Sequence, residues 1–380
     1  MTASGGQRPL DIVMFGLSIT SSWGNGHATT YRALVHALHR CGHRVRFFER
    51  NVPWYEGHRD LAAPTYCEVQ LYADIGELDR SVTELARADV VMIGSYVPEG
   101  RRLAEWLLPR VGGIKVFYDI DTPITVGKLA NDTCEYLDRE RVPDFDLYLS
   151  FSGGPILERL HAHFGASRPR PFYCSVEPSE YFPIAGAAKR YALGYLGTYS
   201  ADRQPALERL LLQPARQWPE GLFYVAGAQY PEALQWPANV ERTQHLPPAM
   251  HRNFYNQQRC TLNVTRAEMI ASGYSPSVRL FEAAACGVPI ISDPWAGLDE
   301  LFEPGREILI AHSTGEVLEI LQDSPETELQ KIGSRARQRV LAHHTAEHRA
   351  QELERHLQEL QREWPDWSAS QSHRAGVVAV

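Results

Sequence analysis

Residues 275–293, SPSVRLFEAAACGVPIISD, join a run of small apolar residues, of the kind that packs a helix against a sheet, to two charges that such packing does not need, Arg279 and Glu282. Ser277 stands where a helix is capped and Gly287 where one ends, and an apolar run rich in β-branched residues follows. The stretch therefore predicts a helix over 278–285 and then a buried strand. That helix carries Arg279 in its first turn and Glu282 one turn deeper on the same face. A helix N-terminus attracts phosphate, an arginine there adds a bidentate donor, and a carboxylate one turn on can accept from paired ribose hydroxyls. The other reading of the two charges is a plain i, i+3 ion pair, worth roughly 0.2–0.5 kcal/mol.

Working outward, 380 residues suit two domains of moderate size. Hydrophobic residues at 44% and charged residues at 22% give the balance of a folded enzyme rather than a fibrous or disordered chain. The net charge of −8 and the lack of a long basic run exclude nucleic acid as an expected partner. Six scattered cysteines without a Cys-x-x-Cys pair, and a start with no apolar signal segment, predict a reduced, cytoplasmic protein. No apolar run approaches the roughly 20 residues of a membrane helix. The sequons at Asn131 and Asn263 are read as chance.

The segments LDIVMFG, HATTYRALVHALHRCG and HRVRFFE read as strand, helix and strand, with Gly42 closing the helix. The pattern repeats through ADVVMIGSY, RRLAEWLLPRV, GGIKVFYDID, DFDLYLSFSGG and PILERLHAHFG, which predicts a doubly wound parallel sheet. Proline-rich residues 171–190 read as a linker between an N-terminal domain (1–170) and a second α/β domain (191–345). The second series has strands at YALGYLGTY, GLFYVAG, CTLNVT, GVPIISD and REILIA, with helices over 204–212, 249–258, 278–285 and 315–321. Residues 346–380 read as a charged helix with a frayed tail. His344 and His348, at i, i+4 on that helix, are taken as solvated surface residues.

Residues 275–293 resemble the donor-binding signature of GT-B glycosyltransferases of the group 1 type, in which a small-residue helix bearing a glutamate is followed by Cys-Gly-x-Pro and a strand. CSVEPSEYFP resembles that fold's domain-crossing linker. NVERTQHLPPAMHRNFYNQQRCTLNVTR and GLDELFEPGREILI resemble the flanks of its donor site. The pattern of Arg, Phe-Glu-Ala, Ala-Cys-Gly and F-x-x-G-x-E-I is similar to the spore-maturation CgeB-like subfamily. The resemblance implies an α/β GT-B fold, two Rossmann-like doubly wound domains facing across a cleft. It implies transfer of a sugar from a nucleotide-diphosphate sugar to an acceptor, without a metal or other cofactor.

By the same resemblance Glu282 contacts the nucleotide ribose. Gly197, Thr198, Arg203, Ser277 and Arg279 serve the donor diphosphate, with Arg266 a further candidate. The commonest retaining enzymes carry a glutamate eight residues before the ribose contact. Here that position is Tyr274, which leaves the sugar contact and the stereochemical outcome open, with retention preferred by analogy.

In the first domain Gly24, Asn25 and Gly26 precede a helix, where backbone approaches a ligand closely. Thr29 stands where the third glycine of a dinucleotide fingerprint belongs, which argues against a nicotinamide or flavin enzyme. The resemblance puts Asn25 and His27 near the reacting sugar. Asp119 and Asp121 at a strand end resemble the Asp-x-Asp of GT-A metal sites, but the second α/β half disfavours that reading, and Asp121 is taken instead as a base or acceptor contact. Trp54, Tyr55 and Tyr136 are candidates for an acceptor surface. Two further readings are a sugar-nucleotide epimerase of the same fold, which would consume the nucleotide sugar alone, and a non-catalytic sugar-nucleotide-binding partner, which would bind without turnover.

Overall fold

Asp11–Gly16, an almost wholly buried run, forms β1 at the heart of a seven-stranded parallel sheet in a computed structural model that describes residues 8–24 and 26–363. The chain continues through α1 (His27–Arg40), β2 (Arg44–Arg50), α2 (Pro53–Glu56), β3 (Glu68–Tyr72), α3 (Val82–Arg87) and β4 (Val90–Gly94). It goes on through α4 (Gly100–Leu107), β5 (Ile114–Asp119), α5 (Thr122–Ala130), β6 (Leu147–Ser150), α6 (Pro155–Phe164) and β7 (Pro169–Pro171). The strand order is β3-β2-β1-β4-β5-β6-β7. Alternation along β1 builds the two faces: Val13 and Phe15 pack with Leu103 and Leu107 of α4, Ile12 and Met14 with Leu34 and Leu38 of α1. Gly42, at φ +92°, ends α1 in a Schellman arrangement, its N–H donating to the His39 carbonyl and that of His43 to Leu38.

The second unit opens with β8 (Tyr191–Leu196), α7 (Gln204–Leu207), a π turn, α8 (Gln213–Gln217), β9 (Phe223–Ala226) and β10 (Val240–Thr243). It continues with α9 (Pro248–Asn256), β11 (Gln258–Asn263), α10 (Ala267–Ser272), α11 (Val278–Ala285), β12 (Ile290–Ser292) and α12 (Leu298–Leu301). Then follow β13 (Leu309–Ile310), α13 (Thr314–Asp323) and α14 (Glu326–His343). Its parallel sheet runs β10-β9-β8-β11-β12-β13, so the chain reverses its direction of travel between β8 and β11. The carboxyl edge at such a reversal is where open α/β sheets bind ligands. Both sheets are of the Rossmann-like class expected from the sequence.

Two features of the chain path differ from the sequence reading. From Tyr173 the expected linker belongs with the second unit, where Val176 bridges Thr345. The final helix, α15 (Ala346–Glu363), which the sequence reading set apart from both domains, belongs to the first unit. It buries Ala346, Ala350, Leu353, Leu357 and Leu360 beside α1, a stripe at helical spacing that the charged residues between them disguise. His43 fixes the docking. Its Nδ1 accepts from the Leu10 N–H at 3.1 Å and its Nε2 meets Glu354 Oε1 at 2.9 Å, which requires the proton on Nε2.

The helix expected across 344–348 is broken between α14 and α15. His344 is buried with its ring 4.9 Å from that of Phe281, so the reading of a solvated pair on one helix fails there. Because α15 completes a core, Leu353→Ala is expected to cost about 2–5 kcal/mol in urea unfolding. A helix that covered no core would lose less than about 0.5 kcal/mol; the frayed tail expected beyond it lies outside the described residues.

Candidate active site

Helix α11 forms as the sequence predicts, and Gly287 at φ +70° closes it with the Schellman pair Gly287 to Ala284 and Val288 to Ala283. Its two charges do not pair with each other; they diverge. Arg279 is buried against the ends of two strands. Its Nε donates to the Leu196 carbonyl of β8 at 2.6 Å and its Nη1 to Asn263 Oδ1 of β11 at 3.0 Å, while the guanidinium lies 4.9 Å from the Tyr195 ring. Nη2 faces Gly197, where an added Cβ would come within 3.0 Å of it. This fixes a positive charge at the reversal between β8 and β11.

Ser277 sits at the N-cap position, but its hydroxyl does not cap the helix. It donates to Asn263 Oδ1 at 2.8 Å, so Asn263 gathers both residues. Asn263 in turn donates to Thr265 Oγ1 and Ser292 Oγ, and Thr265 donates from its N–H and hydroxyl to Asp293 at 2.9 and 2.7 Å. Burial, opposed by the Thr265 bonds, pushes the Asp293 carboxyl up. Asn263 and Asp293 escaped the sequence reading because each stands at the end of an apolar strand and its buried partners are distant along the chain. The burial of Asn263, at 1% exposure, also closes its sequon to modification.

Glu282 is 3% exposed and turns the other way, toward α9. Tyr255 donates to its Oε2 at 3.0 Å and His251 Nδ1 stands 3.8 Å from the same oxygen. Burial, then the Glu282 charge, raise the phenols of Tyr255 and Tyr181 well above their ordinary range, so both remain donors around the carboxylate.

Around this centre, Gly197 and Thr198 follow β8, and Arg203 donates to the Thr198 carbonyl at 2.6 Å. Gly227, beyond β9, lies so close that an added Cβ would be 1.9 Å from the Gly197 carbonyl oxygen. Arg266 precedes α10, whose first N–H, at Ala267, donates to Asp202 at 2.8 Å; this ties the segments bearing Arg203 and Arg266 together. Tyr274 has φ +50°, with its ring between Gly154 and Gly297, where added Cβ atoms would each come within 2.3 Å. Both glycines are required by that close packing.

The first unit brings a second set together. His27 is the first residue of α1, and its ring lies 5.4 Å from that of Tyr96, whose hydroxyl donates to Asp121 Oδ2 at 2.7 Å. Tyr96 itself is held at φ +64° and went unnoticed in the sequence. Gly24 has φ +59° and Gly26 precedes α1, while Asn25 lies outside the described residues. The two aspartates do not face the same way. Asp119 is fully buried, accepting from Tyr148 at 2.6 Å, Thr125 at 2.7 Å and the Asp121 N–H at 3.3 Å, whereas Asp121 lies past the strand at the start of α5. Tyr136 is buried too, its hydroxyl 2.8 Å from that of Thr125, and Tyr55 is buried, so of the three aromatic acceptor candidates only Trp54 reaches the surface.

Residues 203–355 match a family described as Glycosyl transferase-like. Among solved structures, sucrose-phosphate synthase from Thermosynechococcus elongatus aligns with TM-score 0.67 at 14% identity, over 94% of this chain and all of its own. Anabaena Alr3699/HepE, in complex with UDP and glucose, aligns with TM-score 0.67 at 13% identity, over 92% of this chain and all of its own. AviGT4, a glycosyltransferase involved in avilamycin A biosynthesis, aligns with TM-score 0.58 at 16% identity, over 93% and 98%. No curated protein matches the sequence. The fold is GT-B, and the enzyme class is glycosyltransferase.

Desolvation, only partly offset by its three hydrogen bonds, raises the Asp119 carboxyl from the ordinary 3.8 to about 6. Below pH 3.8 it is protonated in folded and unfolded chains alike and contributes no difference. As pH rises toward 6 the unfolded chain ionises first, so stability falls, by about 3 kcal/mol once both are charged. Asp119→Asn removes this dependence. Denaturant unfolding at pH 4.5 and 7 is expected to show wild type losing stability relative to the variant at the higher pH.

Proposed function

We propose that the protein transfers a sugar from a nucleoside-diphosphate sugar to an acceptor, with the donor held by the second unit and the acceptor by the first. The observation that carries this reading is Arg279, a guanidinium fixed by Leu196 and Asn263 at the β8–β11 reversal and aimed at Gly197. A departing diphosphate needs positive charge already in position, and Arg279 supplies it without reorganisation. Arg203, Arg266, Thr198 and the backbone of Gly197 add to it. We assign Glu282 to the ribose, its carboxylate preset by Tyr255. Tyr274 is assigned to the donor sugar.

Because arginines and amides provide the counter-charge, the reaction is proposed to be metal-independent, with retention by analogy to the fold's commonest enzymes. The subfamily assignment is CgeB-like. HepE was solved with UDP-glucose, and an α-glucosyltransferase of similar fold, at 12% identity and TM-score 0.68, was also solved with UDP-glucose, which makes a uridine donor the first to test. His27 and Asp121, linked through Tyr96, are assigned to the acceptor and its proton. The epimerase reading gains no specific support from these contacts.

The test is thermal stability against nucleoside diphosphates and their sugars, with and without EDTA, since a ligand that binds only the folded chain raises the Tm. UDP is expected to raise it independently of EDTA, and Glu282→Gln to weaken UDP affinity at least tenfold. Unchanged affinity in that variant would remove Glu282 from the site, and no shift with any nucleotide would refute the donor reading. Asp121→Asn should lower kcat by about 100-fold or more with UDP affinity unchanged.

A further inference from the structure

Two large aromatic side chains stand out on the first unit, Trp23 at 44% exposure and Trp54 at 58%. Trp23 lies in the loop that follows β1 and Trp54 in the short helix α2 that follows β2; these are neighbouring parallel strands, so both connections leave the carboxyl edge of one sheet. Trp23 stacks on His58 with ring centroids 4.3 Å apart and planes within 10°. Exposed indoles on loops are usually mobile; these loops are not free to move.

Glu49, wholly buried at the end of β2, accepts from the N–H groups of Ile19 and Thr20 at 2.8 and 3.0 Å and from the Thr20 hydroxyl at 2.6 Å. Arg59 reaches the same carboxylate at 2.5 Å. Asp60 accepts from the N–H and hydroxyl of Ser22 and forms a bidentate pair with Arg32, both bonds 2.9 Å. Desolvation alone would raise the Asp60 carboxyl, but Arg32 and Ser22 outweigh it and hold it at about 2. Ser21 closes the set by donating to the His58 carbonyl at 2.7 Å. The connections after β1 and β2 are thus locked together by charged hydrogen bonds, and each carries an exposed indole, that of Trp23 stacked on His58.

We propose that Trp23, backed by His58, and Trp54 form a saccharide-binding platform that receives a neutral oligosaccharide acceptor. This rests on the transferase reading and names the class of acceptor for it. A pyranose offers a C–H-rich face to an indole while its edge hydroxyls take hydrogen bonds, and the polar Ser22 and Asp60 belong to the same two connections as the indoles. Ordering the loops beforehand lowers the entropic cost of binding a small ligand. The apolar area of two indoles is far below the roughly 1,200 Å² of a stable protein interface, which disfavours a protein partner. The nearby arginines, Arg32 of α1 and Arg59, are engaged with carboxylates, which disfavours an anionic lipid surface. Trp23 is also four residues ahead of His27, whose ring lies 5.4 Å from that of Tyr96, the residue that donates to Asp121.

The experiment applies labelled full-length protein to a glycan array and measures the UDP thermal shift on the same samples. Wild type is expected to be retained by neutral oligosaccharides. Trp23→Ala and Trp54→Ala should lose retention at least tenfold, Trp23→Phe should keep it within about threefold, and the UDP shift should be unaltered in all. Failure of wild type to be retained by any glycan, or retention of both alanine variants at the wild-type level, overturns the platform. Loss of the UDP shift from wild type overturns the donor reading instead, so the two failures are separable.

Discussion

A buried guanidinium must have its donors satisfied, and in this chain that requirement ties the second unit together. Arg279 reaches from α11 to the last carbonyl of β8 and to the last side chain of β11, the two strands between which the chain reverses. An alanine there would leave the Asn263 oxygen with one fewer donor and the carbonyl of Leu196 without its side-chain partner. Loss of hydrogen bonds to a charged group typically costs about 1.5–3 kcal/mol each. The same contacts that secure the helix also fix a charge at the sheet's carboxyl edge, so folding and the preorganisation of the site are one event. Glu282 obeys the same logic on the opposite flank, where burial would penalise an unpartnered carboxylate and Tyr255 supplies the donor.

What the sequence revealed depended on whether the signal was local. Helix α11 and its stop at Gly287 could be read because a cap position, a helical period and a glycine at C′ occur within a dozen residues. Strands β3, β7 and β10 were not anticipated because they are edge strands. β7 is three residues with two prolines, and β10 shows little of the continuous apolar run that marks its buried neighbours. The attachment of α15 to the first unit was illegible for a different reason. Its leucines show a helical stripe, but nothing along the chain states which core that stripe covers; the partner, His43, lies 311 residues away from Glu354.

The candidate site divides in the same manner. Arg279, Glu282 and His27 were found through spacing and resemblance, yet the residues that orient them, Asn263, Tyr255 and Tyr96, are ordinary polar or aromatic residues until the fold juxtaposes them. Asp119 and Asp121 show the converse. Two positions apart at a strand end, they look equivalent in sequence, but the strand stops after Asp119, and the chain turns so that one carboxylate enters the core while the other meets Tyr96. Spacing places both at one end of the sheet; only the local turn decides which can touch a ligand.

The loops of the first unit extend this distinction between holding and touching. Glu49 and Asp60 are engaged with backbone N–H groups, two hydroxyls and two arginines, which makes them supports rather than ligand contacts. Carboxylates with so many donors bind their loops more tightly than apolar packing would, because each bond is charge-assisted and directional. The consequence is a division of labour within one short segment. Ile19, Thr20 and Ser22 are anchored by acids and Ser21 by the His58 carbonyl, while Trp23, the next residue, is left at the surface. A loop whose base is that firmly fixed can carry a large exposed ring without letting it collapse onto the sheet, and that constraint is the physical reason the Trp23 indole stays at the surface, stacked on His58.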